Sequence, residues 1–174
     1  MEQNVSRVRH ILLALLAIIF LIGIDQITKY LAVLKLKDQE PLVIIRNVFE
    51  LLYLENQGAA FGLLQGKKVL FLTLTAAFLI FIVYIYFRMI NIRKFRSLRI
   101  LIVFLTAGAI GNMIDRIWHN YVIDFFYFSL IDFPVFNVAD IYVTLSCIIF
   151  LILFLFYYKE EDFEQIFPKK GKKR

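Results

Sequence analysis

The chain has 174 residues, 61% of them hydrophobic and 20% charged, with a net charge of +6. A soluble domain of this size is near half apolar and a quarter charged, so the apolar excess excludes a water-solvated globule and points to one unit solvated by lipid. Nucleic acid is excluded as the partner of the basic excess, because Lys and Arg stand in short clusters beside apolar runs; the single cysteine excludes an intramolecular disulfide.

Arg7, Arg9 and His10 lead into the first apolar run, about 11–33. A basic start before an apolar stretch also describes a cleavable leader, but no small-residue cleavage site follows. Asp25 and Lys29 come instead, so the run is expected to stay as a helix. The connection 34–68 is β-branched and aromatic, and predicts two short strands near 42–46 and 48–55 with an apolar patch suited to the bilayer surface. A tight loop, "NQGAAFG", follows, in which Gly58 and Gly62 allow close backbone approach. A plain turn into the next helix is an equal reading of that loop.

The second run is about 69–87, and Arg88, Arg93, Lys94, Arg96 and Arg99 fill the connection to the third, about 101–117. In the connection 118–137, "YVIDFFYF" reads as extended, and Asn120 before it suits a left-handed turn. The fourth run, about 138–158, ends in a basic tail, 159–174, which reads as an electrostatic lipid anchor. Each run is near the roughly 20 residues that a membrane helix needs. The positive-inside bias puts both termini and the middle connection in the cytoplasm, and 34–68 and 118–137 outside. The expected fold is therefore a membrane all-α chain, a single domain over 1–174. Four transmembrane helices form a bundle, with a small extracytoplasmic β-rich subdomain on the membrane surface.

Depth then selects residues. Asp25 lies about 21 Å into the membrane at about 1.5 Å per residue from the start of its run, and Asp115 reaches about the same depth on a helix of the same direction. Asp140 stands about 27 Å from the cytoplasmic end of the fourth helix, in a core about 30 Å thick. Three helices thus deliver carboxylates to one layer near the outer face. Asp25 and Lys29 share a helix face, as do Asn112, Asp115 and Arg116 in "GNMIDR". Opposite charges make burial tolerable, so a purely structural ion-pair cluster is one reading of Asp25, Lys29, Asp115 and Arg116.

Asp124, between Ile123 and Phe125, is poorly solvated, so its pKa should rise, more so beside a second carboxylate. Asp140 is the natural second member, although alone it could be a helix N-terminal charge. Two carboxylates sharing a proton are the working pair of aspartic proteases, one activating water and the other polarising the scissile carbonyl. Other readings remain open on the residues alone. Intramembrane Asp, Lys and Arg also suit a proton or ion relay in a transporter. A relay needs polar groups on both sides of the midplane, however, and the cytoplasmic halves here are almost purely Leu, Ile and Phe. A structural membrane subunit would not explain carboxylates converging on one layer. Cys147 lies deeper than Asp140 with no His beside it, so packing is its expected role. His10 and His119 fall on opposite sides and cannot share a metal.

"DQITK", "ENQGAAFG", "GAIGNMIDR", "VIDFF" and "FNVAD" occur in the order and topology of the bacterial lipoprotein signal peptidase family, signal peptidase II, which the chain resembles from about Asp25 to Asp140. The resemblance implies an aspartyl endopeptidase of the bacterial cytoplasmic (inner) membrane that cuts prolipoproteins just before their lipid-modified cysteine. It implies Asp124 and Asp140 as the catalytic dyad. Asp25, Lys29, Asn56, Gly58, Asn112, Arg116 and Asn137 match its other polar positions and are expected to shape the site, as is Asp115 from its depth. Its implied partners are lipid-modified prolipoproteins and membrane lipid, with no nucleic acid, no metal and no cofactor, in a monomer. Family members often carry Gly where this chain has Asn120.

Overall fold

The structure is a computed structural model and describes residues 2–58 and 66–167. Gly62 of the expected tight loop and the tail from Pro168 onward lie outside these residues.

Four helices are long and apolar enough to cross a membrane: α1 (Glu2–Leu36), α2 (Lys68–Met89), α3 (Arg96–Trp118) and α4 (Val138–Phe156). The helices outrun the apolar runs in α1 and α3, which start at Glu2 and Arg96, because an apolar run marks contact with lipid while polar residues can continue the same helix into water. Side chains such as Leu16, Ile19, Ile80 and Leu155 stay exposed on the outer faces of α1, α2 and α4, the pattern of helices that meet lipid.

The central helix is α3, which packs against the other three. Its small residues make this possible. A Cβ on Gly108 would stand 2.6 Å from the Ala139 carbonyl oxygen, and one on Gly111 would stand 2.5 Å from Asp25 Oδ2. Glycine at these two positions lets α4 and α1 approach the α3 backbone closely.

The two connections at one end of the bundle form a single sheet. Strands β1 (Leu42–Ile45), β2 (Phe49–Asn56) and β3 (Val122–Tyr127) lie in the order β1-β2-β3, antiparallel throughout. Leu54 pairs with Asp124 and Asn56 with Val122, so the register carries two polar residues from separate connections to neighbouring places. Leu42, Val43, Ile44 and Ile45 are all more than half exposed, giving the sheet an apolar outer strand. Asn120 turns the chain from α3 into β3 with φ of 70°, a left-handed conformation that Asn adopts more readily than most residues.

At the opposite end, the first part of the basic tail expected from 159 is folded. A short helix, α5 (Glu160–Glu164), follows Lys159 and folds back under the bundle. Tyr158 stacks on the buried Phe95 at 5.2 Å, and Ile166 is buried beside them. Lys94 pairs with Asp162 at 2.6 Å, and the Arg88 guanidinium donates to the Ile166 carbonyl. Apolar residues among the charges, Phe163 and Ile166, drive the segment inward.

Candidate active site

Polar side chains from α1, α3, α4 and two strands meet just inside the sheet end, in two layers. The deeper layer is ionic. Lys29 Nζ lies 2.9 Å from Asp25 Oδ2, one helical turn away, and 2.8 Å from Asp115 Oδ2 on α3. Lys29 is 1% exposed, and both carboxylates are as completely buried. Their remaining lone pairs are used: Asp25 Oδ1 accepts from the Ala139 amide at 2.9 Å, Asp115 Oδ2 accepts from the Ile123 amide, and Gln26 Nε2 donates to both carboxylates. Buried charges persist when paired and hydrogen-bonded to this extent. The layer ties α1 to α3, to the start of α4 and to β3.

The second layer is built from amides. Asp124 Oδ1 accepts from Asn137 Nδ2 at 2.7 Å, and its Oδ2 accepts from Asn56 Nδ2 at 2.8 Å. Asp140 Oδ1 accepts from Asn112 Nδ2 at 2.8 Å, and its Oδ2 from the Asn137 backbone amide at 3.1 Å. Asn137 is the N-cap of α4, its Oδ1 accepting from the Asp140 amide at 3.0 Å, so a capping box fixes Asp140 at the helix start. Asn137 therefore holds both carboxylates at once, one through its side chain and the other through its backbone. Asn112 joins the layers, its Oδ1 accepting from Lys29 Nζ at 2.9 Å and from Asn137 Nδ2 at 3.1 Å.

No ion pair reaches Asp124 or Asp140 among the described residues. Asp124 is 1% exposed, and burial lifts its carboxyl from the ordinary 3.8 to about 7, the nearby Asp140 carboxylate adding to the rise. Both carboxylates line a cavity of about 450 Å³. Asn56, Gly58, Asn112 and Arg116 form its polar wall, and Phe133, Val135, Phe136, Ile141 and Leu145 an apolar one. Arg116 Nη2 donates to the Gly58 carbonyl at 3.1 Å, and its guanidinium lies 4.7 Å from the centre of the Phe71 ring. That contact holds the Gly58 backbone, just past the end of β2, beside the cavity.

The ten residues singled out by sequence thus divide. Asp124, Asp140, Asn56, Gly58, Asn112 and Arg116 face the cavity, Asn137 braces them from behind, and Asp25, Lys29 and Asp115 do not line it. Gln26 was missed. It bridges Asp25, Asp115 and the Gly111 carbonyl, and its place inside "DQITK" was the one signal for it. Gly111 carried a signal, the small-residue stripe of "TAGAIG" on α3. Cys147 is exposed on α4, not packed inside as expected.

A family model described as signal peptidase (SPase) II matches residues 17–156. The lipoprotein signal peptidase of Clostridium tetani is 38% identical over 152 residues, 84% of this chain and 94% of its own length. That of Clostridium novyi is 41% identical over 143 residues, 80% of this chain and 95% of its own. A bacterial membrane enzyme solved by the in meso method at 2.3 Å aligns with a TM-score of 0.73 at 30% identity, over 92% of this chain and 93% of the other.

Proposed function

The chain belongs to the signal peptidase II family of aspartic peptidases, and on that premise we propose that it removes signal peptides from prolipoproteins by cutting just before the diacylglyceryl-modified cysteine, with Asp124 and Asp140 as its catalytic pair. The observation that carries this reading is that the two carboxylates share Asn137, open on one cavity and form no ion pair among the described residues. With no direct ion pair to hold both ionised, the two carboxyls lower their energy by keeping one proton between them.

Environment assigns the roles. Asp124 is the acid, since burial keeps its proton to about pH 7. Asp140 is the base, in the first turn of α4, where the helix dipole and two N–H donors favour a negative charge. Asp140 takes a proton from water as the oxygen attacks the scissile carbonyl carbon, and Asp124 gives its proton to the carbonyl oxygen. Collapse of the tetrahedral intermediate returns that proton to Asp124. Asp140 passes the proton it took to the departing nitrogen, so the pair ends as it began.

The cavity matches such a substrate. Its apolar wall suits acyl chains and an extended peptide, and Asn56 with Gly58 offers polar groups to clamp the backbone. The acyl chains enter sideways from lipid between helices. A single copy supplies every residue of this reading. The basic clusters orient the enzyme in the bacterial inner membrane with both termini cytoplasmic and the carboxylates near the outer face.

The test is purified protein with a lipidated precursor peptide and its unlipidated twin, the products mapped by mass spectrometry. A single cut before the modified cysteine, in the lipidated peptide alone, is expected. A cut elsewhere, or equal cutting of both peptides, overturns the substrate assignment.

A further inference from the structure

A second and larger cavity, about 1260 Å³, lies at the end of the bundle opposite the carboxylates. It is a groove between α1 and α3, closed at its mouth by the turn from α2 into α3. Its volume exceeds the roughly 300–1,000 Å³ usual for small-molecule sites. Leu13, Ala17, Phe20 and Phe104 line its length, while Arg9, Arg93, Arg96 and Arg99 crowd its mouth.

The arginines are unusual in their company. No ion pair joins any of the four to a carboxylate among the described residues. Arg99 is only 8% exposed, and its Nη1 donates to the Met89 and Ile92 carbonyls at 2.8 Å each, which fixes the guanidinium against the end of α2. Its Nε and Nη2 donate to no acceptor among the described residues. A topology signal requires only exposed basic residues near a helix end. It does not require a nearly buried arginine, braced by carbonyls, on the wall of an apolar groove.

We propose that this groove binds one anionic glycerophospholipid of the cytoplasmic leaflet, its phosphate held by Arg93, Arg96 and Arg99 and an acyl chain laid along Leu13, Ala17 and Phe104. The phosphate supplies the negative charge and acceptor oxygens that the arginines lack, and guanidinium groups pair well with phosphate. The apolar length of the groove requires chains as well as charge, so a free phosphate fills only the mouth. A basic pocket between membrane helices on the cytoplasmic side is the setting in which anionic headgroups bind. The leader of a substrate is a poorer occupant, because its own basic start would meet four arginines. The proposal rests on the orientation given above, and its readout is separate from cleavage.

The experiment is native mass spectrometry of the full chain from mixed micelles of phosphatidylglycerol and phosphatidylcholine with matched acyl chains. The wild type should retain one phosphatidylglycerol with about tenfold preference, and Arg93→Gln with Arg96→Gln should abolish that preference. Arg7→Gln with Lys94→Gln removes two charges from the same end without touching the groove, and should keep it. Equal retention of both lipids by the wild type overturns the proposal, as does equal loss in the two double variants, which would mean general charge attraction. Displacement by glycerol phosphate as effective as by the lipid would reduce the site to a phosphate site and also overturns it. So does unchanged lipid retention with a raised KM for the precursor, which would give the groove to the substrate. Failure of the wild type to cut the precursor would count against the peptidase reading while leaving the lipid measurement intact.

Discussion

Asp25 and Asp115 are buried as completely as Asp124, within the same few turns of the bundle, yet their partners differ in kind. The first two share Lys29 and are ionic anchors. Asp124 and Asp140 share an asparagine, which donates hydrogen bonds but brings no charge. A cation settles a carboxylate into one ionised state, whereas amides leave room for a proton. On the proposed reading, one side-chain type serves structure or catalysis according to whether its nearest donor is an ammonium or an amide.

Removing the cation should break the contrast most severely. Lys29→Met leaves two buried carboxylates facing each other and is expected to destabilise the fold by about 3–5 kcal/mol. A thermal unfolding midpoint measured in detergent should drop sharply, and Asp25→Asn in the same background should recover part of it. Equal midpoints for wild type and Lys29→Met would show that the deeper layer is not what ties α1 to α3.

Asn112 tests the seam between layers, since it accepts from Lys29 and donates to Asp140. Asn112→Ala takes a donor from Asp140, which the proposed mechanism uses in its ionised form, a loss of about 1.5–3 kcal/mol, or roughly 10–100-fold in kcat. The unfolding midpoint should move far less than in Lys29→Met. An unchanged kcat would detach Asp140 from its amide support.

A smaller effect is expected from pH. A carboxyl lifted to about 7 holds its proton below that pH and gives it up above, so an enzyme needing Asp124 as acid should lose kcat about tenfold per unit on the alkaline side. Profiles of kcat against pH on lipidated peptide should bend near 7. A flat profile to pH 9 would take the acid role from Asp124. The linked stability has the same sign: a raised native pKa contributes stability at low pH that is lost as pH rises through about 7.

Much of this contrast was legible beforehand, for physical reasons. Lipid demands long apolar runs, so four helices stood out, and rise per residue alone brought Asp25, Asp115 and Asp140 to one level. Depth could not say which carboxylate meets which donor, because that depends on helix rotation and on backbone contacts such as the Ala139 amide to Asp25. The strands around Asp124 read as extended, but β2–β3 pairing joins connections far apart in sequence, and no local pattern encodes a partner. α5 was hidden because Phe163 and Ile166 are too few to outweigh a charged tail in a composition-based reading.

The central claim, that amide-held carboxylates do the chemistry and the lysine-held ones do not, is tested most directly by Asp140→Asn. Cleavage of lipidated precursor and the unfolding midpoint are measured on one purified sample. The account predicts cleavage reduced by at least about 10²–10⁴-fold with the midpoint close to wild type. Cleavage retained at the wild-type rate by folded Asp140→Asn protein would contradict it.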